Sequence, residues 1–216
     1  RLHTLADKPM VIDDAGFETL VRAFNVAREN EGFLYDIMTE RHEITTMLQK
    51  AFSGIPSVFG ELLQGSVREP AVVKESVHHF SKQVSGAPVK RPAWFFDVAQ
   101  QGEGLVDITT HLVDLVQWEC FPGQVIAPSD VRVLTARSWD TMMTPAEFKK
   151  VTGLETWPDY LNPLAGADGV LRTRANGELN YTLRGVHARV SVLWKFEAPA
   201  GAADTHDSLL RGSKAS

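Results

Sequence analysis

The segment from Ala188 to Phe196 constrains the fold more than any other, because Val190, Val192, Trp194 and Phe196 alternate with Arg189, Ser191 and Lys195. Successive side chains of a strand point to opposite faces, so this register gathers the apolar set on one face and the polar set on the other. A strand patterned in this way belongs to a sheet with one covered face, which is the habit of antiparallel sheets. Similar strand-like runs precede it at Val131 to Arg137, Val170 to Ala175 and Glu178 to Arg184. Asn176 and Gly177 read as a two-residue hairpin turn between the last two, since both central positions of such a turn need positive φ.

The first half has a different rhythm. Leu2 to Ala6 is a short strand-like segment that stops at Asp7, Lys8 and Pro9. Asp13 and Asp14 are candidate caps for a helix carrying Phe17, Leu20, Val21, Phe24 and Ala27, and Gly32 is its candidate stop. Strand, turn and helix make half of a parallel α/β unit. Gly32 to Met38 reads as the next strand, Glu43 to Phe52 as a helix and Val58 to Leu63 as a marginal strand. Glu69 and Pro70 then open a segment in which Val73, Val77, Phe80 and Val84 recur at helical spacing, which predicts another helix. Thr144, followed by Pro145, caps a helix that runs to Gly153. The sum is an α+β chain, an open and mainly antiparallel sheet backed by helices.

Composition narrows the function. A net charge of −5 with no dense Lys/Arg stripe leaves nothing to neutralise phosphates, so nucleic acid is not an expected partner. No apolar run approaches the roughly 20 residues needed to span a bilayer, so no membrane is expected either. The single cysteine, Cys120, lies near Trp118 and Phe121 and reads as a buried thiol in a reducing, cytoplasmic setting. The chain opens at Arg1 without an initiator methionine and is expected to be the C-terminal part of something longer.

Chemistry is expected from Gly102 to Trp118, where Asp107, His111, Asp114 and Trp118 follow one another at spacings of four, three and four. On a helix these four share a narrow stripe, beside a broad apolar face of Ile108, Leu112, Leu115 and Val116. Two carboxylates then flank an imidazole, and a neighbouring carboxylate fixes the tautomer and raises the basicity of such a ring. Asp107 is also well placed as the helix cap. Lys8 is the second candidate, because Pro9 keeps it extended at the carboxyl end of a strand, where open α/β sheets bind ligands. Arg41, after Tyr35 and Asp36, could reach a ligand from the end of the following strand. His78 and His79 are adjacent, cannot share a helix face, and read as surface or structural residues, while His187 and His206 lie near strand ends. His111 and Asp114 could coordinate a metal, but no third ligand stands at a recognisable spacing, and no metal site is assigned. Gly102, Glu103 and Gly104 begin like a dinucleotide fingerprint, yet Asp107 stands at the third glycine position and no strand leads in.

Three segments together resemble the Gfo/Idh/MocA oxidoreductases, which act on sugars and cyclitols with NAD or NADP. In that family a strand of the nucleotide-binding domain ends in Glu-Lys-Pro, and LADKPM here has Asp7, Lys8 and Pro9. The family's helix motif, roughly G-G-x-L-x-D-x-x-x-H-x-x-D-x-x-x-W, is similar to GEGLVDITTHLVDLVQW from Gly102 to Trp118, with Glu103 between the glycines. YDIMTER, from Tyr35 to Arg41, sits where the family's strand enters its second domain. The glycine-rich nucleotide loop, upstream of the lysine in the family, is absent from the sequence. The resemblance therefore implies that residues 1–33 are a remnant strand and helix of a Rossmann domain and that residues 34–216 are a substrate-binding and oligomerisation domain. It implies Lys8 between nicotinamide and substrate, with Pro9 on the cofactor side. It also implies His111 moving the hydroxyl proton with Asp107 supporting it, and Asp114, Arg41 and Tyr35 on the substrate. A sugar or polyol is then the small-molecule partner, and association of copies through the C-terminal sheet is expected. Leu209 to Ser216 resembles a strand before the family's final segment. The competing expectations are a non-catalytic carbohydrate-binding or assembly module with the same fold, and metal-assisted hydrolysis at His111 and Asp114.

Overall fold

The computed structural model describes residues 2–216; Arg1, from which a longer chain was expected, lies outside the described residues. The chain runs β1 (Thr4–Ala6), α1 (Asp14–Glu29), β2 (Leu34–Asp36), α2 (Ile44–Ser53), β3 (Val72–Ser81), β4 (Gln83–Val84), β5 (Ala87–Pro88), α3 (Val98–Gln101) and α4 (Gly104–Cys120). It continues through β6 (Val131–Met143), α5 (Pro145–Thr152), β7 (Leu171–Leu183), β8 (Val186–Glu197) and β9 (Thr205–Leu210). Five strands make the main sheet in the order β6-β7-β8-β3-β9, antiparallel at every junction except the parallel pair β3–β8. The α+β, mainly antiparallel architecture is therefore as the sequence implies.

The alternation in β8 plays out as the pattern demands. Val190, Val192 and Trp194 are buried and join Ile108, Leu112 and Val116 of α4 in one hydrophobic core with Phe80, Phe96, Phe148 and Leu171. Local chemistry also holds at α5, where Thr144 and Glu147 form a reciprocal capping box and Gly153 closes the helix in the left-handed region. Asp13 caps α1 by accepting from Gly16 N, but the helix stops at Glu29 with Asn30 as its cap, before Gly32.

Four expectations need correction. The segment around Val73, Val77 and Phe80 is not a helix but β3, the strand between β8 and β9. Its residues are buried on both faces, so apolar side chains fall at neighbouring positions and mimic a helical period. Val58 to Leu63 forms turns with one isolated bridge from Leu62 to Gly212. The strand foreseen from Leu209 onward is β9, which ends at Leu210.

The hairpin at Asn176 and Gly177 does not exist: both lie inside the continuous strand β7. Asn176 is buried opposite an irregularity in β6 between Trp139 and Thr141. Its amide Nδ2 donates to Trp139 O at 3.1 Å and Thr141 Oγ1 at 2.8 Å, and its Oδ1 accepts from Trp194 N at 2.8 Å, replacing ladder bonds that the irregularity removes. The two-residue turn lies further on, at Arg184 and Gly185, with φ of 51° and 84°.

The small unit β1–α1–β2 stands apart from this core. β1 and β2 form a two-stranded parallel sheet, and α1 buries no residue, leaving Phe17, Val21, Phe24 and Val26 exposed. A parallel pair with one helix cannot cover both of its faces.

Candidate active site

Lys8 lies two residues beyond the end of β1, and its peptide bond to Pro9 is cis. From there the ammonium reaches α4: Nζ donates to Asp107 Oδ1 at 2.5 Å and also to the Asp107 carbonyl oxygen. Arg41 lies in the single 3-10 turn Thr39–His42 just after β2 and meets Asp114 two helical turns further along α4. Its Nε donates to Asp114 Oδ2 at 2.7 Å, and its Nη2 donates to Oδ1, the bidentate fork that only arginine makes. The N-terminal unit is thus pinned to α4 on either side of His111.

His111 does not sit on an exposed polar stripe. It faces inward with Ile108, Leu112 and Leu115, only 6% exposed, and its Nδ1 has no hydrogen-bond partner. Burial lowers its pKa and the Lys8 charge lowers it further, against the upward pull of Glu40, Asp107 and Asp114. The expectation of an imidazole made more basic by flanking carboxylates is therefore overturned. Each carboxylate is taken by a cation, and the ring is left neutral with a free nitrogen. Asp107 is not the helix cap either, because α4 begins at Gly104 with Glu103 at the cap position.

The remaining candidates separate. Pro9 shares the turn with Lys8, whereas the exposed Tyr35 packs beside Phe33 in a groove along α1, with none of the contacts that join Lys8, Arg41 and α4. Trp118 carries the Lys50 ammonium over its ring at 3.4 Å, a packing role between α2 and α4. Cys120 is only partly buried, packed against the core, and its surroundings push the thiol pKa up to about 12. Among the described residues no group of three His, Cys, Asp or Glu side chains is placed to hold a metal ion.

Two buried polar clusters escaped the sequence reading. Lys74 on β3 and Glu119 on α4 form an ion pair at 2.5 Å with side chains 2% and 0% exposed, and Lys74 Nζ also donates to Gln49 Oε1 and Ser208 Oγ. Burial pushes the lysine pKa down and the carboxyl pKa up, so the environment disfavours both charges and only their pairing retains them. The second cluster surrounds Asp204, which accepts from His78 Nδ1 at 2.9 Å, from His79 Nδ1 at 3.1 Å and from Lys82 Nζ. Burial pushes the Asp204 carboxyl up, but the bonds from His78, Lys82 and His79 outweigh it and hold the carboxyl well below the usual range. The sequence signal for both clusters was polar residues inside a β-branched run, and it is visible only once that run is recognised as a strand.

The five-stranded sheet with α4 packed on its covered face is the fold of an oxidoreductase C-terminal domain. Residues 48–216 match the family described as "Putative oxidoreductase C terminal domain", and the chain belongs to that family. A crystal structure of a "putative oxidoreductase" from Parabacteroides merdae is 51% identical, with a TM-score of 0.91 over 98% of this chain and 48% of that one. GenD2 from gentamicin A biosynthesis, in complex with NAD, shares the fold at 17% identity and a TM-score of 0.56, over 98% of this chain and 46% of that one. The myo-inositol 2-dehydrogenase of Lactobacillus plantarum does so at 11% identity and 0.53, over 98% and 48%. The chain spans about half the length of these solved structures. No curated protein matches it by sequence. Among the described residues no helix is long and apolar enough to cross a membrane.

Proposed function

We propose that this chain is the substrate side of an NAD- or NADP-dependent oxidoreductase acting on a sugar or cyclitol hydroxyl. The observation that carries the reading is His111, a buried neutral imidazole with an unpartnered nitrogen, held on a helix to which the Lys8 ammonium is bonded. Oxidising a carbinol needs a group to take the hydroxyl proton and a cation near the same oxygen. His111 accepts the proton, and Lys8 offers its charge to the oxygen. Asp107 acts through Lys8 by fixing the ammonium, and the Arg41–Asp114 fork holds the turn after β2 against α4.

The nicotinamide, when bound, takes the hydride from the carbinol carbon. This chain fits only that end of the cofactor. α1, the helix that follows β1, is capped by Asp13 and carries Asp14 in its first turn, which repels a diphosphate. We therefore assign residues 1–33 to a nucleotide-binding domain whose phosphate loop they do not contain, and residues 34–216 to the substrate domain. The exposed apolar side of α1 fits the packing of further α/β layers. A cytoplasmic setting and association through the outer face of the main sheet belong to the same reading.

The test is sugar-dependent NAD reduction by the protein carrying a complete nucleotide-binding half. His111→Ala is expected to lower kcat by about 10²- to 10⁴-fold, the range for loss of a positioned proton acceptor, while residues 1–216 alone do not retain NADH in a fluorescence titration. Unchanged turnover in the variant, or tight NADH binding by this chain alone, refutes the assignment.

A further inference from the structure

The two carboxylates that flank His111 on α4 are not free to serve it. Lys8 holds Asp107 and Arg41 holds Asp114, so each is matched by a cation. Glu40 is different. It precedes Arg41 in the 3-10 turn Thr39–His42, and the fork from Arg41 to Asp114 ties that turn to α4 one helical turn beyond His111. The half-buried Glu40 side chain has neither a hydrogen bond nor an ion pair among the described residues. It lines a cavity of about 560 Å³ together with Leu112, Leu115 and His206. Leu112 follows His111 directly and Leu115 lies one turn further along, so His111 belongs to the buried face of α4 that forms this wall.

The other charged groups packed around that face are committed elsewhere. On α2, Glu43 caps its own helix through Thr45 N and Thr46 N, and Lys50 lies over the Trp118 ring. On the sheet, Lys74 is paired with Glu119, and His78 bonds Asp204 while its ring meets that of His206 edge-on at 5.2 Å. His206 Nδ1 lies 3.1 Å from Ser76 Oγ. Arg91, stacked on Phe95 and Trp194, donates to the His79 and Phe80 carbonyl oxygens. Burial lowers the pKa of both His111 and His206, and Glu40 is the strongest upward pull on each ring. In a poorly solvated site a lone carboxylate acts over several ångströms without contact, whereas one bonded to a cation acts only as a dipole.

Resting on the redox reading above, we infer that Glu40 is a positioning residue for the proton transfer, its carboxylate neutralising the imidazolium that forms when His111 takes the hydroxyl proton. The carbinol is oxidised to a carbonyl as its hydroxyl proton passes to His111 and its hydride reduces the nicotinamide. The new positive charge arises within reach of the Lys8 ammonium. Two like charges then share one buried site, and Glu40 is the uncommitted carboxylate that offsets them.

NMR titration of the imidazole carbons in the 216-residue chain reads the coupling without cofactor or turnover. Glu40→Gln should lower the midpoints of His111 and His206 together, each by about 0.5–1 pH unit, and Glu40→Asp, which keeps the charge, should return most of that shift. Glu197→Gln, at a surface carboxylate paired with Lys150, should move neither. In sugar-dependent NAD reduction by the protein with its nucleotide-binding half, Glu40→Gln should lower kcat about three- to tenfold and move the acidic limb of kcat/KM to lower pH. A merely structural loss lowers the rate and leaves the limb in place. A His111 midpoint that stays or rises in Glu40→Gln, or an unmoved acidic limb, overturns the inference. Turnover with both midpoints unchanged removes the Glu40 role alone, and lowered midpoints in a protein that reduces no NAD remove the redox reading alone, leaving Glu40 coupled to His111.

Discussion

Replacing Lys74 by Met is the sharpest perturbation that the interior offers. The ammonium meets a carboxylate with no exposed side-chain surface, so its removal leaves Glu119 charged and unpaired in the core. Loss of one member of a buried pair costs about 3–5 kcal/mol. Glu119 can limit that cost by taking up a proton. Holding a carboxyl of ordinary pKa 4.5 neutral at pH 7 costs about 3.4 kcal/mol at about 1.36 kcal/mol per pH unit, which sets the ceiling. The variant folds with one more proton bound than its unfolded chain, so its stability falls as pH rises. The penalty should be about 1.4 kcal/mol at pH 5.5 and about 3.4 kcal/mol at pH 7. For a chain of this size the pH 7 figure corresponds to a fall in Tm of roughly 7–14 °C. Urea unfolding followed by tryptophan fluorescence between pH 5.5 and 8 reads both numbers. The double variant Lys74→Met, Glu119→Leu removes both charges and should recover to within about 1 kcal/mol of the parent. A single-variant loss below about 1 kcal/mol at pH 7, or one independent of pH, would show that the pair is not desolvated and refute the reasoning.

Two further predictions concern the site and the sheet. In Lys8→Met the His111 titration midpoint should move upward, because one of the two causes that depress it is removed while burial stays; NMR of the imidazole carbons checks this. The His111 ring is depressed in the fold, so it opposes folding as pH drops below its ordinary value of 6.5, and the variant should lose less stability than the parent between pH 7 and 5. Asn176→Ala should cost about 2–3 kcal/mol in urea unfolding, since it strands the buried Trp194 N–H and two acceptors; a neutral result would favour an exposed turn at that position.

What the sequence made legible follows from the range of the interactions. α5 could be read to its ends because Thr144, Pro145, Glu147 and Gly153 cap the helix within its own few residues. The apolar face of α4 and the alternation of β8 were legible because each element has one covered side. β3 was misread because both of its faces are covered, which erases the period that separates strand from helix. Asn176 misled because its turn propensity is local, while its three hydrogen bonds come from strands elsewhere in the chain. At the site the helix and Lys8 could be found, but the pairing could not. A one-dimensional spacing shows that Asp107 and Asp114 flank His111, and only the fold shows that Lys8 and Arg41 claim them first.

The placement of β3 between β8 and β9 bears on how the chain acquires its shape. Val72 pairs with Ala188 on one side and Leu210 on the other, so the most enclosed strand waits for partners made more than about a hundred residues later. During synthesis Val72, Val73 and Phe80 emerge long before anything can cover them, a window in which chaperone capture and aggregation compete with docking. Closure of the sheet is then a late, collective event. The chain should fold slowly and as a whole, and deletions within the last thirty or so residues should abolish its cooperative unfolding transition rather than trim it.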